Sequence, residues 1–259
     1  MTFTTVHVET TPQHVGIITL NRPDQLNTFT STMAGELHRA LVDMESDEQV
    51  RVILLKSSGR AFCAGIDVNE LEGKEANDYR QWIEWMERPL VEISRMKKPV
   101  IAQVQGVATA NGMGLVAAAD LAIASDRVKM GLTAINVGLN CVGPVLPVAR
   151  CVGRKKALEL LLYGTLLKAE EARDLGLINR VVAHEELDTE ALLWAEDLAT
   201  RSPIAVQIAK SAFYQAEDME YQKQFQYMNE AFARLCTTSD AKEGVHAFLE
   251  KRNPRWSLR

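Results

Sequence analysis

Carboxylates are scarce in the middle of this chain. Residues 93–158 hold two acids, Asp120 and Asp126, against nine lysines and arginines, while the whole chain carries 34 acids, 29 basic residues and a net charge of −5. That overall balance argues against a general nucleic-acid binder, which needs a clustered basic surface. Cysteine is also thin. Cys63, Cys141, Cys151 and Cys236 form no CxxC pair, and the five histidines show no HExxH or CxxC…H spacing. Neither a disulfide framework nor a structural zinc site is expected. The longest apolar stretch, Leu115–Ala124, is broken by Asp120 and is too short to span a bilayer. The first basic residue is Arg22, so the charged start of a secretory signal is not expected either. These absences point to a reduced, soluble, cytoplasmic protein with neither membrane nor nucleic acid as a partner.

What is present is a globular composition, 47% hydrophobic and 24% charged over 259 residues. A chain of this length can bury roughly 70–75% of its unfolded surface without covalent staples. Val15–Leu20, Val50–Lys56 and Pro99–Val104 are β-branched or aliphatic runs, with Leu121–Ala124 and Leu177–Val182 as shorter candidates. Such continuous runs predict strands covered on both faces, as in α/β folds. Met33, Leu37, Ala40, Leu41 and Met44 repeat at helical spacing. A second helix is expected over residues 77–96, burying Trp82, Ile83, Met86, Leu90 and Ile93, with Pro89 placed to bend it. From Ser202-Pro203, a cap followed by proline at the first helical position, the pattern becomes helical throughout. The expected organisation is a core over residues 1–200 and a helical oligomerisation region over residues 201–259.

Two glycine turns stand out. Ser57-Ser-Gly-Arg-Ala-Phe-Cys-Ala-Gly-Ile-Asp67 follows a strand. Gln105-Gly-Val-Ala-Thr-Ala-Asn-Gly-Met-Gly114 leads from a strand into an Ala-rich helix. The second contains a GxGxxA match, Gly112 to Ala117. A nicotinamide site would want an acid about 20 residues further on, and none lies between Asp126 and Glu159. Glycines after strands also serve as plain turns or close helix contacts.

With these turns, the chain resembles the crotonase superfamily, the enoyl-CoA hydratase/isomerase family. Seven segments in order carry the resemblance. The first two are Leu20-Asn-Arg-Pro…Leu26-Asn27 and Ala61-Phe-Cys-Ala-Gly65-x-Asp67. Lys98-Pro-Val-Ile-Ala102…Gly106 and Asp120-Leu-Ala-Ile-Ala-Ser125 follow. Gly153…Gly164, Ala169-Glu-Glu-Ala…Gly176-Leu-Ile-Asn-Arg-Val-Val182 and Ala247-Phe-Leu-Glu-Lys-Arg252 complete the set. The resemblance implies an α/β crotonase-like spiral of ββα units with a C-terminal helical trimerisation region, assembled as a homotrimer or dimer of trimers. It implies no prosthetic group, with coenzyme A arriving as part of a thioester substrate of the kind met in fatty acid metabolism. It also implies an oxyanion hole from the backbone N–H groups of Ile66 and Asn111. The nucleotide is expected along Ala64, Ile66, Asp67, Val68 and Asn69, near Arg22 and Asn111, with Phe248 and Lys251 contributed by a neighbouring subunit.

One departure limits the functional reading. The resemblance places the two hydratase glutamates at Gly114 and Ala134, so both general acid/base carboxylates are replaced. General acid–base catalysis contributes roughly 10²–10⁴-fold, and the acids of this segment are Asp120, for which a buried structural role is expected, and Asp126. Asn111, Asn136, Asn140 and Cys141 are the expected pocket side chains. Asn140 and Cys141 are the remaining catalytic candidates, although asparagine relays no proton and a thiol needs a lowered pKa. Glu70 and Lys74 read either as a catalytic pair or as a solvated i,i+4 pair. The expected function is an acyl-CoA enzyme that stabilises an enolate by non-standard chemistry. The alternatives are a weak or inactive acyl-CoA-binding protein, or an acyl-CoA decarboxylase or hydrolase.

Overall fold

The apolar runs become the centre of a six-stranded sheet in the computed structural model, which describes residues 3–257. In chain order its strands are β1 (Val6–Thr10), β2 (Val15–Leu20), β3 (Val52–Ser57), β4 (Val100–Val104), β6 (Leu121–Ser125) and β9 (Arg180–Val182), and they lie side by side in that order. Only the β1–β2 pair is antiparallel among them. Register aligns Ile17 with Leu54, Leu54 with Ile101, and Ile101 with Leu121. Because alternate residues point to opposite faces, the sheet builds two separate cores. Ile18, Leu20, Ile53, Leu55, Val100 and Ala102 join one with helix α1 (Ser31–Ser46). Val15, Ile17, Val52, Leu54 and Ile101 join the other with Ala191 and Ala195 of helix α7 (Leu187–Ala199). Burial on both faces is why these strands read as unbroken apolar runs.

A smaller layer stands beside the large sheet. Strands β5 (Val107–Thr109), β7 (Lys129–Gly131) and β8 (Leu167–Lys168) form it. Isolated parallel bridges between Phe29 and Ile66, and between Cys63 and Ala108, continue it. Each passage of the chain therefore sends one strand through the large sheet and a short extended piece through the small layer. The short pieces carry no periodic signal of their own, so the sequence did not mark β5, β7 or β8 as strands. Edge strand β1 was hidden for a different reason, since four of its five residues are exposed.

The helices fall close to their expected places. Helix α1 is capped by Thr30, whose Oγ1 accepts from Met33 N at 3.2 Å, and buries Met33, Leu37, Ala40, Leu41 and Met44. Helix α2 (Ala76–Arg95) buries Met86, Leu90 and Ile93 and keeps Pro89 inside it. The expected strand at Leu177–Val182 is shorter than its apolar run. Asn179 donates its backbone N–H to Ala122 O and accepts from Ala122 N with its side chain at 2.8 Å, standing in for a ladder pair before β9 begins. Beyond residue 201 come α8 (Pro203–Ala216), α9 (Tyr221–Cys236) and α10 (Ser239–Glu250), with Ser202 Oγ capping α8.

Asp120 anchors that tail to the core. Its Oδ2 accepts from Val100 N at 2.7 Å and from Lys210 Nζ of α8 at 2.7 Å, and Lys210 also donates to Lys98 O. Burial pushes the Asp120 carboxyl up and the Lys210 ammonium down, and each partner offsets the other's shift. The structural role expected of Asp120 is the one it has.

Candidate active site

The two glycine turns are locked together by backbone contacts. Thr109 N donates to Cys63 O at 2.9 Å, and Cys63 N donates to Val107 O at 3.1 Å. At Gly112 an added Cβ would fall 2.2 Å from Cys63 O, so no side chain fits there. Gly65 has φ +104°, and a Cβ on it would sit 3.1 Å from that of Ala110. Those two glycines let the turns touch. The touching sets Gly65, next to Ile66, against Ala110, the residue before helix α3 (Asn111–Ala118).

The amides of Ile66 and Asn111 are left over from this pairing. In the bridge to Phe29 the partners are Gly65 O, which accepts from Phe29 N, and Asp67 N, which donates to Phe29 O. Ile66, between them, turns its own N–H away from Phe29. Asn111 opens α3, where the first N–H groups have no intrahelical acceptor and the helix dipole is positive. Among the described residues neither amide has a protein acceptor. Ala110, directly before Asn111, takes φ 49° and ψ −115°. That conformation is costly for a residue with a Cβ, and it turns the chain sharply into the helix. The Asn111 residue is 4% exposed and its Nδ2 is buried without a partner.

The other expected site residues divide into groups. Arg22 and Asp67 face each other at 3.1 Å, and Arg22 also reaches Thr28 O. Burial alone would raise the Asp67 carboxyl, but hydrogen bonds from Arg22 and Asn69 hold it below the usual carboxylate range. Ala64 is half-buried, whereas Val68 and Asn69 are exposed. Phe248 and Lys251 lie on and just beyond α10, with Phe248 81% exposed. Asn136 turns toward Gly164, where an added Cβ would meet its Oδ1 at 2.9 Å. Asn140 Oδ1 accepts from Cys141 N at 2.8 Å. Cys141 is buried, and burial pushes its thiol up despite a hydrogen bond to Ala134. Cys63 is pushed further, to about 12, by the same cause. Neither thiol is a ready nucleophile.

The helical side-chain pair expected of Glu70 and Lys74 does not form. They share no α-helix, because residues 68–71 form a short 3-10 helix. The Glu70 carboxylate accepts from Ser31 N, Ser31 Oγ and Trp82 Nε1, while Lys74 bonds to the backbone oxygen of Glu70. Burial would raise this carboxyl, but those donors outweigh it and hold it low. Glu70 thus satisfies the amino end of α1.

At Gly114 there is no open space. An added Cβ would lie 2.9 Å from Pro144 Cβ and 3.0 Å from Leu90 Cδ2. Close by, Glu87 of α2 presses on the chain just before Pro144, since a Cβ on Gly143 would fall 1.5 Å from Glu87 Oε1. Burial raises the Glu87 carboxyl, with no opposing cause. Sequence reasoning missed Glu87, because it sought acids within residues 93–158. The available signal was an acid between Met86 and Leu90 on the apolar side of α2.

Among the described residues, no group of three or more His, Cys, Asp or Glu could hold a metal, and no helix is long and apolar enough to cross a membrane. Comparison with known proteins decides the family. Residues 10–259 match the family described as Enoyl-CoA hydratase/isomerase. The chain belongs to that family. A putative enoyl-CoA hydratase of Thermus thermophilus is 36% identical over 248 residues, covering 94% of this chain and 97% of that protein. The rat mitochondrial enoyl-CoA hydratase domain-containing protein 3 is 34% identical over 250 residues, covering 95% of this chain and 83% of the rat one. The crystal structure of a Mycobacterium smegmatis enoyl-CoA hydratase superposes with TM-score 0.95 at 36% identity, covering 98% of this chain and 99% of that one. The fold is the crotonase fold. Family membership makes the chain an acyl-CoA-binding enzyme.

Proposed function

We propose that this family member stabilises the enolate-like anion of an acyl-CoA thioester with the amides of Ile66 and Asn111. The observation behind this reading is the pair of unspent N–H groups on two turns held together through Gly65 and Gly112. Preorganised donors of this kind typically contribute roughly 10²–10³-fold each to turnover. The nucleotide runs along Ala64–Asn69 near Arg22, and Phe248 and Lys251 reach it from a second copy in a trimer or dimer of trimers. The apolar surface of the tail supports that assembly, with Phe213, Tyr221, Phe225, Phe232 and Phe248 all more than half exposed. So do two cavities of about 370 and 360 Å³ that open on α8–α10. Four free cysteines among the described residues fit a reducing, cytoplasmic setting.

Water addition by paired glutamates is not the reaction in this reading. Gly114 and Ala134 stand where the family carries those carboxylates, and Leu90 with Pro144 fills the first position. A second reading, acyl-CoA binding with weak turnover, draws on the same filled space. The test compares binding of butyryl-CoA with that of its S-butyl thioether, which lacks the carbonyl. The thioester is expected to bind about tenfold more tightly, the worth of roughly 1.4 kcal/mol from two hydrogen bonds. Equal affinities, or no binding of either compound, would overturn the oxyanion-hole reading.

A further inference from the structure

Helix α2 brings the Glu87 carboxyl against Gly143, next to the Pro144 that packs on Gly114 of the second glycine turn. Gly114 lies three residues after Asn111, about one helical turn or 4.5 Å along the axis of α3. Its side-chain space is taken by Leu90 and Pro144. Glu87 stands three residues before Leu90 on α2, so the two share a helix face. Its carboxyl rests on Gly143, the residue before Pro144, at a position where any Cβ would meet Oε1 at 1.5 Å. The glycine at 143 is therefore what makes room for this carboxyl.

Glu87 is also unlike the other half-buried carboxylates of the molecule. Glu36 is held by Thr4 and Thr5, Asp67 by Arg22 and Asn69, and Glu70 by Ser31 and Trp82. Glu87 accepts no hydrogen bond and makes no ion pair among the described residues. Burial raises it, and no neighbouring charge contributes. A carboxyl placed at a cost in solvation, with no structural partner, is in the condition of a general base poised for use. A half-buried carboxylate without donors loses hydration and regains nothing.

We propose that Glu87 is the proton-transfer residue of this site, serving acyl-CoA substrates whose chemistry is a proton shift at the carbon next to the thioester. This rests on the reading of Ile66 and Asn111 as the oxyanion hole. In the forward step the Glu87 carboxylate takes the α-proton. The C–H bond breaks, its electron pair moves into the carbonyl, and the enolate oxygen is held by the two amides. The protonated Glu87 then returns the proton to the α-carbon or, in a β,γ-unsaturated acyl group, to the γ-carbon. One carboxyl suffices for such a shift, so no second acid is required. Ala134 is compatible with this scheme, whereas it is not with paired-carboxylate hydration.

The test follows α-deuteration and 1,3-isomerisation of but-3-enoyl-CoA in D₂O by the full-length protein. The wild type is expected to exchange and isomerise. Glu87→Gln, which keeps the shape, is expected to slow both by roughly 10²–10⁴-fold with the preference for butyryl-CoA over its thioether intact. Gly143→Ala, which displaces the carboxyl without removing it, is expected to slow both as well. Glu87→Gln working at the wild-type rate would overturn the proposal. So would a wild type that does not exchange but still prefers the thioester, and that result would leave the oxyanion hole standing. Loss of the thioester preference in the wild type would overturn the reading beneath.

Discussion

Helix α2 passes two carboxyl neighbourhoods that obey opposite rules. Near its start, Trp82 donates to Glu70 together with Ser31 N and Oγ, and the carboxyl is held low. Five residues on, Glu87 meets backbone at Gly143 and no donor, and burial drives its carboxyl up. The two acids sit on or against the same helix, and both are half-buried. What separates them is whether the surrounding backbone ends there. The amino end of α1 offers unpaired N–H groups that bond Glu70, whereas no N–H of the turn around Gly143 bonds Glu87. A satisfied carboxyl is architecture, and an unsatisfied one is a reserve of reactivity.

Asp120 is another satisfied carboxyl, and breaking it gives the largest expected effect. Asp120→Ala leaves Lys210 buried with Lys98 O as its remaining hydrogen-bond acceptor and the Tyr214 ring beside it. Losing one partner of a buried pair typically costs about 3–5 kcal/mol. Equilibrium urea unfolding should show that loss, and an unchanged midpoint would remove the anchoring role from the pair.

Gly114→Glu tests the filled space at the second neighbourhood. It restores a carboxylate in sequence but drives a side chain into Pro144 and Leu90. Overpacking of this kind costs about 1–3 kcal/mol, and crotonyl-CoA hydration should stay at the wild-type level. A gain in hydration with unchanged stability would show that the space is open after all.

The smallest expected effects come from comparing the two glutamates directly across pH. Glu70 is lowered from 4.5 on folding, so its contribution is present above that value and lost as pH falls through the folded value. Glu87 is raised from 4.5, so stability is highest below that value and declines as pH rises through the folded value. Glu70→Gln should cost about 1–2 kcal/mol at neutral pH and flatten the acid limb of stability against pH. Glu87→Gln should instead remove the decline toward neutral pH. Parallel profiles for the two variants would erase the distinction drawn between them.

Much of the scaffold was legible because burial on both faces leaves a direct mark. Val15–Leu20 was read with the bounds it has, and the stripe from Met33 to Met44 marks α1. The short layer β5–β7–β8 was not, because strands of two or three residues lie below any period. At the site, Ile66 and Asn111 were reached through resemblance, and their adjacency came from Gly65 and Gly112, whose contacts no local pattern states. Glu87 was invisible for the same reason. Its partner-free setting is a property of Gly143 and Pro144, more than fifty positions away in the chain.

The sequence by itself determined that residues 93–158 would be poor in carboxylates and that Gly114 and Ala134 carry none. Composition is a sum over the chain, and no folding alters it. Only the tertiary structure decided whether the site would lack a carboxyl too. Packing brings α2 against α3 and the turn before α4 (Val145–Val152), so Glu87, an acid from outside the depleted segment, rests on Gly143 within it. Scarcity along the chain and scarcity in space are different quantities, because contacts between distant residues are set by packing and not by order.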